Sequence, residues 1–397
     1  VLFQTLDNKK ECYGIYLNGD LIYDEFPDNL TNTWSYSSFL KGKGVEYANL
    51  YCGNKTLSEA CPPQHHDEWE EVSGKLKAFL RSFYLAKVDL DENCFFDLVP
   101  DKFLRQHCEI KNKITKHVLE NYEKPKNYDF LVELIELVDK IAHQKLSVNT
   151  DTLKSKFFQF KTRKFSKKIN TCPPYIKYNI FGTKTGRLTT RKNSFPILTM
   201  DKNYRSILKP QNDWYIELDY NAAELRTLLN LLGKEQPKDD LHEWNAKNVY
   251  RGSITREEAK KRMFAWLYNP NSKDHLSNRA YQRNDVLKKY WNGTHVQTIY
   301  DRKIIADKHH ALNYIIQSTF SDLLLRQAIK IDKLLEGKKT NIAFMIHDSI
   351  ILDMAHEDEM MISEIFHEFA ETDLGVFLPN CTAGKNFGEM KKLWIQL

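Results

Sequence analysis

Two aspartates 129 positions apart stand where chemistry could be done. Asp219 closes the apolar run 214–218. Asp348 sits at the polar centre of NIAFM-IHDS-IILDM, two short apolar runs that read as a hairpin. Each carboxylate is flanked by sequence that favours burial, and a lone buried carboxylate is strongly unfavourable. Taken singly, each reads as a turn aspartate. On adjacent strands, the two could hold a divalent cation against substrate phosphates.

The segment after Thr255 adds a second set of groups. Thr255 and Glu258 form a T-x-x-E capping box, which fixes a helix N-terminus. From there Arg256, Lys260, Phe264 and Tyr268 recur every four residues, a step of about 400°, so they share one face with about 40° of drift per step. About 18 Å of helix axis separates the first from the last. Ala259, Met263, Trp266 and Leu267 lie on the other side and can pack inward. Two cations followed by two aromatics suit a nucleoside triphosphate, with phosphates at the N-terminal end and base at the aromatic end. A solvated face would leave two large rings exposed beside charges.

These groups need a scaffold, and its elements are readable in outline. A helix with Leu225, Leu228, Leu229 and Leu232 at core spacing follows Asp219, and Gly233 is placed to stop it. Residues 240–320 read as mostly helical. Upstream, ECYGIYL-NG-DLIYDEF predicts a β-hairpin with a two-residue turn. Residues 56–75 read as a connector, and the pattern turns helical from 76 to 150. Phe130, Leu131, Leu134, Leu137, Val138 and Ile141 form one stripe there. No internal repeat or low-complexity tract is present.

The chain has 397 residues, 42% hydrophobic and 28% charged, which is globular and long enough for two or three packed subdomains. No apolar run approaches membrane-spanning length. The N-terminal VLFQTLDNKK lacks a basic-then-apolar pattern, so secretion is not expected. Seven cysteines, none in a CxxC pair, argue against a disulfide framework or zinc site and favour a reducing compartment. Residues 151–210 hold fifteen Lys or Arg against two Asp. A field of that size suggests a polyanionic partner. A solvated basic loop is the other reading.

Six stretches then fall in a recognisable order: TKTGRLTT (183–190), DYNAAELR (219–226), DLH (240–242), RxxxKxxxFxxxY (256–268), NYIIQSTFSD (313–322) and IHDSI (346–350). The tail GKNFGEMK (384–391) follows. Together they resemble A-family DNA polymerases, the group of bacterial DNA polymerase I and many phage replicases. DYNAAELR resembles motif A, the R-K-F-Y helix motif B, and IHDSI motif C. The resemblance implies an α+β right-hand polymerase with an antiparallel palm sheet and helical fingers and thumb. Residues 1–75 would be a small β-rich N-terminal element and 76–112 a connector into the polymerase domain. The thumb would be 113–170, the palm 171–232 and 311–397, and the fingers 233–310.

By matching position, the resemblance implies that Asp219 and Asp348 bind two Mg2+ ions, assisted by the Tyr220 carbonyl. Arg256, Lys260 and His242 would grip the triphosphate, Phe264 would stack on the incoming nucleotide, and Tyr268 would flank the templating site. Arg187, Asn313, Gln317 and His347 would contact the primer terminus or the new pair. Lys164, Lys167 and Lys168 would hold the duplex, and Glu224 would bar a 2′-hydroxyl. Ser349 stands where motif C usually has a third carboxylate, and Asn269 and Ser318 replace family glycines. No D-x-E stands on an apolar strand in the N-terminal part, so no proofreading exonuclease is expected.

The expected partners are primer–template DNA and dNTPs, for a monomer in the cytoplasm, the host's if phage-encoded. Two alternatives are a single-subunit RNA polymerase-like enzyme and an inactive basic nucleic-acid-binding protein. Glu224 argues against the first, and the surviving aspartates and phosphate cations against the second.

Overall fold

A computed structural model describes residues 1–7, 9 and 11–395. The chain divides into two compact units, Val1–His143 and Gln144–Leu397. The boundary runs through the stretch assigned above to the thumb.

In the first unit, β1 (Gln4–Thr5), β2 (Gly14–Leu17) and β3 (Asp20–Tyr23) form a three-stranded antiparallel sheet. The β2–β3 turn is Asn18-Gly19, both at positive φ, as the NG signal requires. The helices are α1 (His66–Leu85), α2 (Asp101–Asn121) and α3 (Tyr128–Ala142). The predicted stripe of α3 is buried throughout. Residues 56–75 are not a connector: a short capped helix, Leu57–Ala60, and the first half of α1 occupy them. The strands do not stand apart from the helices either. Buried Gln4 on β1 donates to Asn112 and Thr115 of α2, each at 2.9 Å.

Cys12 and Cys94, 82 positions apart, are joined by a disulfide, contrary to the cysteine expectation. It ties the start of β2 to the loop before Phe95. Asp7 accepts the Phe95 amide at 2.5 Å beside it. The fold brings these residues together, whereas the spacing rule looks only for near neighbours.

The second unit is built on a five-stranded antiparallel sheet. Its central strand is β6 (Trp214–Tyr220). Before it come α4 (Phe160–Asn170) and the small pair β4 (Tyr178–Asn179) and β5 (Thr189–Thr190). After it come α5 (Ala223–Leu231), α6 (Arg256–Tyr268), the hairpin β7 (His295–Gln297) and β8 (Lys303–Ile305), and α7 (Ala311–Leu334). The chain then gives β9 (Asn341–Ile346), β10 (Ser349–Met354), α8 (Ile362–Ala370), β11 (Pro379–Gly384) and β12 (Lys391–Leu393). The sheet order is β9-β10-β6-β11-β12. The β7–β8 hairpin interrupts a stretch read above as mostly helical.

Strand alternation explains how β6 is used. Leu218 and Tyr220 are buried, while Glu217 and Asp219 share the other, half-open face. Behind the sheet, the Tyr220 ring stacks on Phe369 of α8 at 4.0 Å and meets Phe320 of α7 edge-on at 6.0 Å. These helices therefore cover the face opposite Asp219.

Candidate active site

Backbone register brings the two aspartates together. Asp219 pairs with Ser349 on β10, the residue after Asp348, and with Asn380 on β11. His347 and Asp348 form the two-residue turn between β9 and β10, with His347 at φ +52°. Burial, then Glu217 and Asp348, pushes the Asp219 carboxyl up to about 7. Hydrogen bonds from Asn380 and Ser349 oppose that rise. Neighbouring carboxylates raise one another's pKa, and that donor set fits a hard divalent cation. Ser349 hydrogen-bonds Asp219 where a third carboxylate would add repulsion. Asn380 was not anticipated, because only the register of β11 places it there.

Arg187 completes this cluster. Its Nη2 lies 3.2 Å from Glu224 Oε1 and 3.7 Å from Asp348 Oδ1. Glu224 is 8% exposed and also accepts a hydrogen bond from the Tyr268 hydroxyl. Burial raises the Glu224 pKa, against the pull of Tyr268 and Arg187. Gln317 on α7 hydrogen-bonds Tyr268 in turn. Arg187, Glu224, Tyr268, Gln317 and Asp348 thus form one connected set.

The stretch before Arg187 is held by close approach. A Cβ at Gly182 would lie 1.7 Å from Thr189 Oγ1, so glycine alone lets β4 and β5 meet there. The Tyr178 hydroxyl accepts from the Met345 amide at 2.9 Å and donates to the Met345 carbonyl. This fastens the small hairpin to β9. Gly186, Arg187, Leu198, Phe320, His347 and Asp348 border a cleft of about 280 Å³.

The α6 face forms as the spacing predicts. The capping box is present, and Ala259, Met263, Trp266 and Leu267 are buried. The Phe264 and Tyr268 rings lie nearly parallel, 6.1 Å apart. Arg256 pairs with Asp240 at 2.7 Å and with Glu257 at 2.5 Å, whereas Lys260 is exposed. His242 is 3% exposed and 5.8 Å from the Phe264 ring. Its Nδ1 has no partner among the described residues, and burial lowers its pKa to about 4. Arg226 holds this corner: it donates to the carbonyls of Asn221 at 2.8 Å, Pro237 at 2.9 Å and Asp239 at 2.9 Å. That fixes Asp240, which caps the short helix carrying His242.

The remaining predicted residues are placed as follows. Tyr220 directs its ring away from Asp219, leaving its main chain on the β6 edge of the site. His347 is exposed at the cleft. Asn313 Oδ1 on α7 is buried and has no hydrogen-bond partner among the described residues. Lys164, Lys167 and Lys168 lie on the exposed face of α4, opposite buried Thr162, Ser166 and Ile169. They are not joined to the aspartate cluster.

The fold is that of a DNA polymerase domain. The chain resembles the polymerase domain of Pol1 from M. smegmatis, solved in complex with DNA primer-template and dNTP. The TM-score is 0.60 over 87% of this chain and 82% of that one, at 10% identity. No protein-family profile and no curated relative matches the chain. Among the described residues, no helix is long and apolar enough to cross a membrane.

Proposed function

We propose that this protein is a template-directed DNA polymerase of the A-family type, extending a primer 3′-hydroxyl with dNTPs. The observation that carries the reading is the cluster of Asp219 and Asp348 on neighbouring strands, with Arg187 reaching both Asp348 and Glu224. The sheet around β6 is the palm, residues 233–310 the fingers, and α4 part of the thumb. The residues that would hold the metal are the carboxylates of Asp219 and Asp348, brought together by the β6–β10 register.

Asp219 and Asp348 would hold two Mg2+ ions, assisted by the Tyr220 carbonyl. The chemistry supplied by bound magnesium is acidification of the 3′-hydroxyl and neutralisation of charge on the leaving pyrophosphate. Arg256, Lys260 and neutral His242 hold the phosphates. Phe264 packs on the base, and Glu224, braced by Tyr268, borders the sugar. Arg187, Asn313, Gln317 and His347 line the primer end, and α4 lies along the duplex backbone. The partners are primer–template DNA and dNTPs. The protein acts as a monomer and does not proofread.

Primer extension on a defined template tests this, with dNTPs and NTPs compared and Asp219→Asn as the control. Elongation with dNTPs that requires Asp219 is expected. Elongation with NTPs alone would point to an RNA polymerase-like enzyme, and binding without elongation would refute catalysis.

A further inference from the structure

The tip between β7 and β8 docks on α7 through two residues. Arg302 Nη2 donates to Asp322 Oδ1 at 2.6 Å and its Nε to Oδ2 at 3.0 Å. Asp322 is fully buried, and the Arg302 side chain is 15% exposed. One turn further along α7, the Arg326 guanidinium lies 4.7 Å from the centre of the Tyr300 ring. Asp322 and Arg326 are four apart and share a helix face. The hairpin tip is therefore clamped at two points.

The Arg302 guanidinium also lies against Gly186. A Cβ built there would sit 2.6 Å from Nη2 and 2.7 Å from Cζ, and Gly186 holds φ +79°. The backbone just before Arg187 thus rests on a planar cation. Two hydrogen bonds to a buried carboxylate fix the orientation of that plane, which a lysine could not reproduce. A buried ion pair is weak evidence for a stabilising role, since apolar replacements often serve as well. A role in placement explains its position better, because the next residue reaches both Glu224 and Asp348.

We infer that Arg302, oriented by Asp322, is a positioning residue that sets the Gly186 turn and thereby the Arg187 guanidinium between Glu224 and Asp348. The activity readout of this inference rests on the polymerase reading above. Arg302→Ala frees the turn. The kcat/KM for a dNTP falls about 10- to 100-fold, the scale expected when a reacting group is misplaced by about an ångström. Because Arg187 also braces Glu224, the NTP-to-dNTP ratio of kcat/KM rises. A structural defect alone would lower both substrates equally.

The test is a double-mutant cycle of Gly186→Ala and Arg302→Ala, read by primer extension and by urea melts. The Cβ of Gly186→Ala meets a guanidinium in the parent protein and vacated space in the Arg302→Ala background. Strong non-additivity in both readouts is expected, together with the raised ratio. Additive effects, or an unchanged ratio, would overturn the inference. Should Arg302→Ala not fold, Arg302→Lys keeps the charge beside Asp322 and loses the plane. It is expected to fold with a raised ratio, and an unchanged ratio there overturns the inference equally. The urea cycle needs no substrate. If the parent protein fails to extend any primer, the polymerase reading falls while the coupling between Gly186 and Arg302 is still measured.

Discussion

Replacing Glu224 by Ala should relax discrimination against ribonucleotides. Glu224 is 8% exposed, with one oxygen accepting from Tyr268 and the other facing Arg187 at 3.2 Å. A 2′-hydroxyl entering beside it has to displace one of those partners or stay unpaired. An unpaired buried polar group costs about 1–3 kcal/mol, or about one to two orders of magnitude in selectivity. The alanine variant removes the carboxylate and leaves the Tyr268 hydroxyl and Arg187 free to accommodate the extra group. Its melting temperature should fall too, since two donors lose their acceptor. The assay must therefore be insensitive to the fraction of active protein. The ratio of kcat/KM for one NTP to that for its matching dNTP meets this need, because both share the same active fraction. A rise of about 10- to 100-fold is expected. Glu224→Gln keeps an acceptor for Tyr268 and should rise less. An unchanged ratio in Glu224→Ala would refute the placement of this residue at the sugar.

Asp219→Asn and Asp348→Asn should each abolish extension while leaving primer–template affinity nearly intact; residual activity within threefold of the parent would remove the carboxylates from catalysis. In chelator, Asp219→Asn should also stabilise the fold at neutral pH. The raised Asp219 pKa means that the ionised carboxyl weakens the folded state as pH climbs from about 4 to about 7, so urea midpoints of parent and variant should converge at low pH. His242 works in the other direction. Its folded pKa is depressed to about 4, so its contribution to stability is complete above about 6.5 and is lost as pH falls toward 4. His242→Gln should flatten the acid limb of the stability profile, and an identical limb would mean the ring is solvated. Removing Lys164, Lys167 and Lys168 together should reduce the salt slope of DNA affinity by about 0.9 for each phosphate left unneutralised, as measured by anisotropy titrations from low to moderate salt. With a mismatched primer, magnesium and no nucleotides, no shortening from the 3′ end is expected; shortening that maps to this chain by mutation would expose a proofreading site.

Local rules made part of the molecule readable in advance. The Thr255–Glu258 box and the Asn18-Gly19 turn are short-range devices, and both form as written. The aspartate pair was visible because apolar runs around a polar residue signal strands that bury their flanks. What escaped depends on partners far along the chain. Ser349 and Asn380 flank Asp219 only through sheet register, and Arg302 meets Asp322 across a fold. The β7–β8 strands are three residues each, too short for alternation to be read. The first half of α1 is half charged and buries only Trp69 and Val72, so no apolar stripe marked it as a helix. The cysteine pair was missed for the same reason as Arg302 and Asp322: neighbours in space are widely separated in sequence.

The sheet order has a consequence for how the chain acquires its shape. Strand β6 leaves the ribosome with neither neighbour made, since β10 begins at Ser349 and β11 at Pro379. Until those arrive, a seven-residue strand rich in apolar residues has two open edges. Contacts of such sequence separation are slow to form and leave intermediates prone to association. The pocket around Asp219 is thus among the last parts to assemble, and chains interrupted before residue 379 should accumulate as aggregates.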